Sequence, residues 1–370
     1  MKHWLSLAVA VSAFGIGCSS DSSQKGTAGA STRVAGTRPS SSASGADLTG
    51  AGATFPQPIY NKWFAEYAAK NGVKINYQAI GSGGGIKQLQ EQTVDFGASD
   101  APMTDAELSA AKGGPIIHVP TVIGVVALVY NLPGLTQPLK LTGSLLADIY
   151  LGKVTKWNDT RIAALNAGVN LPANDILVVH RAEGSGTTFI FTDYLSSVSP
   201  AWKSGPGKGK EVQWPVGLGA QGSAGVTGQI KQTPNALGYT ELAYAQQNKL
   251  PTALVQNKTG QFVAPSSESG SAAAAGALSR LGGNTDYRIS IVNADGAQAY
   301  PITSFTWLLV YQHMKDAVKA RKLASFVKWA MTDGEKEAAG LGYAPLPGDL
   351  AARLSARVDS VATSASSAAK

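Results

Sequence analysis

The stretch Arg181-Ala182-Glu183-Gly184-Ser185-Gly186-Thr187-Thr188-Phe189 constrains this chain more than any other. It follows an apolar run, Ile176-Leu177-Val178-Val179, whose composition predicts a buried strand. It leads into Phe189-Ile190-Phe191-Thr192-Asp193-Tyr194-Leu195, which predicts a helix. A strand that turns through small residues into a helix points backbone N–H groups out of a helix N-terminus, where the dipole also favours negative charge. Ser185 and Thr187 add hydroxyl donors, and Gly184 and Gly186 let the backbone come close to a ligand. Arg181 offers a planar fork of donors suited to an oxyanion, and Glu183 is placed to hold that fork. Alone, the stretch fits equally well a plain strand–turn–helix junction with a surface ion pair.

The pattern recurs. Val73-Lys74-Ile75-Asn76-Tyr77-Gln78-Ala79 alternates as a strand does, and Ile80-Gly81-Ser82-Gly83-Gly84-Gly85-Ile86 turns from it into a helix. Ahead of it, Gly50-Ala51-Gly52-Ala53-Thr54-Phe55-Pro56 enters a helical stretch from Pro58 to Ala69 with an apolar stripe of Ile59, Trp63, Phe64 and Tyr67. A proline near a helix start suits a position whose N–H has no partner anyway. Thr54 then lies at a helix entrance, as a cap or as a donor. Val94-Asp95-Phe96-Gly97-Ala98-Ser99-Asp100 predicts a further strand ending in a carboxylate. Taken by itself, Asp100 is best explained as a cap for a helix over Thr104 to Ala111.

The 370 residues suffice for two compact lobes, and 44% hydrophobic content supplies a core. The net charge of +7 is spread along the chain, which is not the footprint of a nucleic-acid binder. Met1 to Gly17 has the form of a secretory signal, with Lys2 ahead of an apolar run from Leu5 to Phe14 that is too short to span a membrane. Cys18, the one cysteine, follows at once; it cannot staple the fold, but it can carry lipid. The segment resembles a bacterial lipoprotein signal in having Gly17 just before the cysteine, and departs from it in having Gly15 where leucine is usual. Either way the expectation is export. Residues 18–47 are rich in Ser, Gly and Ala and predict a flexible tether, and residues 362–370 a disordered tail.

Gly50–Pro56, Ile80–Gly84, Val94–Asp100 and Arg181–Thr187 stand in the order found in the periplasmic phosphate-binding proteins of phosphate ABC transporters, the PstS family, which the chain resembles. The resemblance continues through Asp148–Asp159, Trp214–Gly219, Ala236–Tyr239 and Tyr300–Thr303, and so spans about Leu48 to Pro347. It implies a type II periplasmic-binding-protein fold: two α/β lobes on a two-segment hinge, with the ligand clamped between them. Crossings then fall near Val122–Val125 and Ala299–Pro301, giving one lobe from 48–123 and 300–361 and a second from 124–299. It also implies phosphate contacts at Thr54, Phe55 (backbone), Ser82, Asp100, Arg181, Ser185, Gly186 (backbone) and Thr187. Glu183 stands where many members have aspartate, and is expected as the partner that orients Arg181. The implied partners are inorganic phosphate and separate permease and ATPase subunits, since no Walker A sequence is present. A monomer without cofactor or catalytic residues is expected.

The chemistry supports that transfer. A dehydrated anion is costly to bury unless its oxygens are all satisfied, and helix N-termini, hydroxyls and a guanidinium supply the donors. Asp100 supplies selectivity, because phosphate near neutral pH still has a proton to donate to it, whereas sulfate does not. The main alternative is a binder of another tetrahedral oxyanion, molybdate or sulfate. A remote one is an NAD-dependent enzyme, since Gly217-Leu218-Gly219-Ala220-Gln221-Gly222 matches G-x-G-x-x-G with Glu241 about twenty residues on. There Val212-Gln213-Trp214 is the candidate strand, interrupted by Pro215. A hydrolase with Ser185 as nucleophile fails because Glu183 occupies the first glycine position of G-x-S-x-G. His180 neighbours Arg181 but by strand alternation points away from it. No Cys/His cluster suggests a metal.

Overall fold

The computed structural model describes residues 47–277, 280 and 286–367. The signal, Cys18 and all of the tether except Asp47 lie outside the described residues. Asp47 itself is held, accepting from the Lys74 amide at 2.8 Å and pairing with Lys322 at 2.5 Å.

The first elements are β1 (Leu48–Gly52), α1 (Gln57–Asn71), β2 (Ile75–Ala79), α2 (Ser82–Gln90), β3 (Phe96–Ser99) and α3 (Asp105–Ser109). The long strand β4 (Ile116–Tyr130) precedes β5 (Lys140–Leu141), α4 (Gly143–Tyr150), α5 (Thr160–Leu165) and β6 (Leu177–Arg181). Next come α6 (Gly186–Val198), α7 (Pro200–Ser204), β7 (Leu218–Ala220), α8 (Gly222–Gln232), β8 (Ala236–Glu241) and α9 (Leu242–Gln247). The chain continues through β9 (Leu254–Gln256), β10 (Phe262–Val263), α10 (Ser267–Gly276), β11 (Thr303–Tyr311), α11 (Ala317–Ala330) and α12 (Gly348–Ser367).

Eight strands form one sheet in the order β2-β1-β3-β11-β4-β8-β6-β7. The strands β1, β2 and β3 are parallel at one end, and β6, β7 and β8 at the other. Between them β4 is buried along its whole length, as an apolar run with both faces covered must be. Up to Val125 it pairs with β11, and from Val126 onward with β8. One continuous strand thus serves both halves of the sheet. The pairing shifts register between Thr306 and Trp307 of β11, where Thr121 is an extra residue bulged out of β4 beside Pro120, which has no N–H to donate.

Glycine sets the close approach of helix to sheet at Gly85. A Cβ there would lie 2.5 Å from the Ala51 carbonyl oxygen and would also strike the Gly52 backbone, neither of which can swing aside. We expect Gly85→Ala to push α2 off β1 and lower unfolding stability by about 1–3 kcal/mol, read from the urea midpoint.

Several expectations shift. The strand foreseen from Val73 starts at Ile75, and no strand forms over Val212–Trp214, because β7 lies on the glycines that follow. The cap of α3 is Thr104, in a reciprocal capping box with Glu107, and Asp100 is left for the interior. Trp63 and Trp157 are core residues. The tail expected from residue 362 is helical to Ser367: α12 buries Leu350, Leu354, Val358 and Val361, and a helix docked by these residues propagates into the segment that follows.

Candidate functional site

The candidate phosphate contacts sit at the carboxyl ends of parallel strands, where open α/β sheets gather ligands. Thr54 and Phe55 follow β1, Ser82 follows β2, Asp100 follows β3, and Arg181 closes β6 ahead of Ser185, Gly186 and Thr187. The two ends of the sheet bring these tips together. Ser82 Oγ accepts from the Gly186 amide at 3.0 Å and from the Asp100 amide at 3.2 Å, and the Gly83 amide donates to Gly184 O at 2.9 Å. Thr54, Phe55, Ser82, Asp100, Arg181, Ser185 and Thr187 are all buried.

The hydroxyls share one feature. Each already accepts from an N–H: Ser82 as above, Ser185 from the Thr188 amide at 3.1 Å, Thr187 from Arg181 Nη1 at 3.1 Å, and Thr54 from the Ser223 amide at 3.2 Å. An oxygen that is accepting leaves its own proton to donate. The cluster therefore presents O–H and N–H groups, which is chemistry for an anion.

Arg181 is tied down before any ligand arrives. Its Nε donates to Glu183 Oε1 at 2.9 Å and its Nη2 donates to the same oxygen. Both Glu183 oxygens lie 3.2 Å from the Gly222 amide at the start of α8. Glu183 thus spans Arg181 and a helix N-terminus, and the ion pair stays in the protein interior with a fixed fork. Burying such a pair is justified only when its remaining groups also find partners, and here they do.

Asp100 is the exception among donors. Its Oδ1 accepts from the Thr306 hydroxyl at 2.7 Å. Burial pushes its pKa up to about 7, against the opposing pull of the Thr306 hydrogen bond and the Arg181 charge. Near neutral pH this carboxyl is poised to take or share a proton, a property a helix cap would not have. The capping role expected for Asp100 alone does not hold.

Sequence reasoning missed Ser223, Gly222, Thr306, Tyr244 and Tyr343. The tyrosines fix the first junction, Tyr244 donating to Thr54 O at 2.7 Å and Tyr343 to Phe55 O at 2.6 Å. The glycine run that suggested a dinucleotide fingerprint is a strand-to-helix junction, β7 into α8, facing this same site. Its first amide is occupied by Glu183, and Glu241 is buried as the cap of α9 rather than facing those glycines. His180 turns away from the cluster, its ring stacked on Trp214 at 4.7 Å. Among the described residues there is no group of three His, Cys, Asp or Glu placed to hold a metal, and no helix long and apolar enough to cross a membrane.

A family model described as a PBP superfamily domain matches residues 27–334. Phosphate-binding protein PstS of Xylella fastidiosa (strain 9a5c) is 46% identical over 310 residues, covering 84% of this chain and 84% of its own. The protein of the same name from Pasteurella multocida (strain Pm70) is 46% identical over 313 residues, with 84% and 89% covered. Among solved structures, a high affinity periplasmic phosphate-binding protein, PfluDING, bound with phosphate, superposes with a TM-score of 0.67 at 22% identity, covering 84% of this chain and 93% of that one. A phosphate binding protein from Stenotrophomonas maltophilia gives 0.63 at 20%, with 84% and 93% covered. At these identities the structural likeness concerns the fold, which is the two-lobe α/β fold.

Proposed function

This chain belongs to the PstS family of phosphate-binding proteins within the PBP superfamily, and on that premise we propose that it captures inorganic phosphate between its two lobes and delivers it to an ABC importer. The lobes are residues 48–123 with 300–361, and residues 124–299. The change of partner along β4 between Val125 and Val126, and the return into β11 at Thr303, support that division. Thr54, the Phe55 amide, Ser82, Arg181, Ser185 and Thr187 donate to the phosphate oxygens, together with the Gly186 amide, whose one proton is shared between Ser82 Oγ and the ligand, and Asp100 takes the phosphate proton. Glu183 orients Arg181. The protein binds and releases its ligand unchanged, as the names of its relatives suggest. It is exported, tethered by lipid on Cys18, and works as a monomer with separate permease and ATPase chains.

One observation carries this reading. A buried carboxyl of raised pKa faces a cluster that otherwise only donates. Such a site fits an anion that brings a proton and penalises one that does not. For sulfate or molybdate Asp100 would be a like charge without compensation, so those alternatives are disfavoured.

The sign of the pH effect follows. A phosphate complex needs one proton between Asp100 and the ligand, and either partner can supply it. Sulfate brings none, so it requires Asp100 already protonated. Above about pH 7, sulfate affinity is expected to fall by about tenfold per pH unit, and below it to level off, so that selectivity is greatest on the alkaline side. Isothermal titration of ligand-stripped protein with phosphate, arsenate, sulfate and molybdate across this range, repeated on Asp100→Asn, decides the matter. The variant should lose the sulfate slope and much of its discrimination. Silence toward phosphate with tight binding of a fully ionised oxyanion would overturn the reading.

A further inference from the structure

Ser223 lies outside the set of contacts the resemblance implies, yet it touches two members of that set. It is buried at the start of α8, in residues 124–299. Its amide donates to Thr54 Oγ1 at 3.2 Å, and its Oγ lies 3.0 Å from the same atom. Arg181 Nη1 donates to Ser223 Oγ at 3.4 Å. From this geometry we infer that Ser223 is a positioning residue that makes Thr54 a donor to the oxyanion and latches the cleft shut; the inference rests on the phosphate reading above.

The argument is a proton count. Two oxygens 3.0 Å apart share one proton, which either can give. With Arg181 donating to Ser223, the free lone pair of Ser223 could still draw the proton of Thr54, and Thr54 would then have nothing left for a ligand. With Ser223 donating instead, Thr54 Oγ1 accepts twice, from the amide and the hydroxyl of Ser223, and its own proton points elsewhere. An anion beside Thr54 favours this second arrangement, because it rewards the freed O–H. Anion binding and the Ser223–Thr54 bond therefore reinforce each other.

Location adds the latch. Thr54 belongs to residues 48–123 and Ser223 to residues 124–299, so both of their hydrogen bonds span the cleft. The Tyr244 hydroxyl, from α9, grips the Thr54 carbonyl in the same sense. The first two amides of α8 are thus given to Glu183 and Thr54. This helix N-terminus binds the residues that hold the anion. It organises the site from behind.

The test is a double-mutant cycle in phosphate binding with Ser223→Ala and Thr54→Val, followed by titration and by stopped-flow release. Ser223→Ala is expected to raise the phosphate Kd by about 5- to 20-fold, as the loss of a buried hydrogen bond implies, mainly through faster release, while the melting midpoint of ligand-free protein stays put. In the Thr54→Val background the same change should cost less than about threefold, because the residue through which it acts is gone. Equal losses in both backgrounds, or no loss from Ser223→Ala alone, would overturn the inference. If wild-type protein ignores phosphate but takes another oxyanion, the phosphate reading fails; the cycle run with that ion then decides Ser223 separately.

Discussion

Arg181→Ala is expected to weaken phosphate binding by at least about two to three orders of magnitude in isothermal titration, the largest loss from any single side chain. Two effects add. The guanidinium is the one cation among the proposed contacts, and in a buried site its attraction for the anion is little screened. Its removal also strands Glu183, a mostly buried carboxylate held by Nε, Nη2 and the Gly222 amide, beside an incoming negative charge. Truncating one partner of a buried, hydrogen-bonded charge pair in a binding site costs about 2–5 kcal/mol, which is roughly 30- to 4,000-fold in affinity. Arg181→Lys should recover only part of this, since an ammonium cannot serve Glu183, Thr187 and the ligand with one planar fork. An alanine variant that binds within tenfold of wild type would remove Arg181 from the anion site.

Gly186→Ala is the second large effect, and it comes from shape. A Cβ at Gly186 would stand 2.5 Å from Ser82 Oγ, 2.6 Å from Asp100 Cβ and 2.7 Å from the Asp100 amide. The last two belong to the backbone region of β3's exit, which cannot rotate out of the way. All three neighbouring atoms sit in residues 48–123, and Gly186 in residues 124–299, so the clash arises where the two proposed lobes meet. The methyl should hold the cleft ajar and reduce phosphate affinity by about 30- to 150-fold, as overpacking of about 2–3 kcal/mol implies. Ligand-free stability should hold or rise slightly, because alanine narrows the unfolded ensemble and suits a helix start. Affinity and melting temperature thus move in opposite directions. Unchanged affinity would mean that phosphate binds without the Ser82–Gly186 contact.

The junctions explain what could be foreseen. At Arg181–Thr187 and Ile80–Gly84 the turn residues are small, the flanking runs are apolar, and the donors lie within a few positions of each other, so local pattern alone suggests an anion site. Asp100 is different. Its local context argues for a cap, and only tertiary burial and the Thr306 hydroxyl make it a proton acceptor. Thr306 itself hides inside an apolar strand, where threonine looks like any β-branched residue. Ser223 was obscured by the glycine run before it, because the strand was sought at Val212–Trp214 while β7 forms on Leu218–Ala220. Tyr244 and Tyr343 reach the site from more than 180 residues away in sequence. Contacts that long leave no periodic trace.

The position of β11 has a consequence for the order in which the chain can fold. This strand, Thr303–Tyr311, lies between β3 and β4, in the interior of the sheet, although it is the last strand to be synthesised. Until it arrives, β3 and the first part of β4 each present an unpaired edge, and the lobe that holds Thr54, Ser82 and Asp100 cannot close its core. Ribosomal synthesis from the N-terminus therefore cannot complete this lobe early, and the pairing that finishes it joins Ser99 of β3 to Trp307 of β11, more than two hundred residues apart. For a protein proposed to leave the cytoplasm behind a signal peptide, late completion is useful, because this lobe stays threadable until β11 has been made.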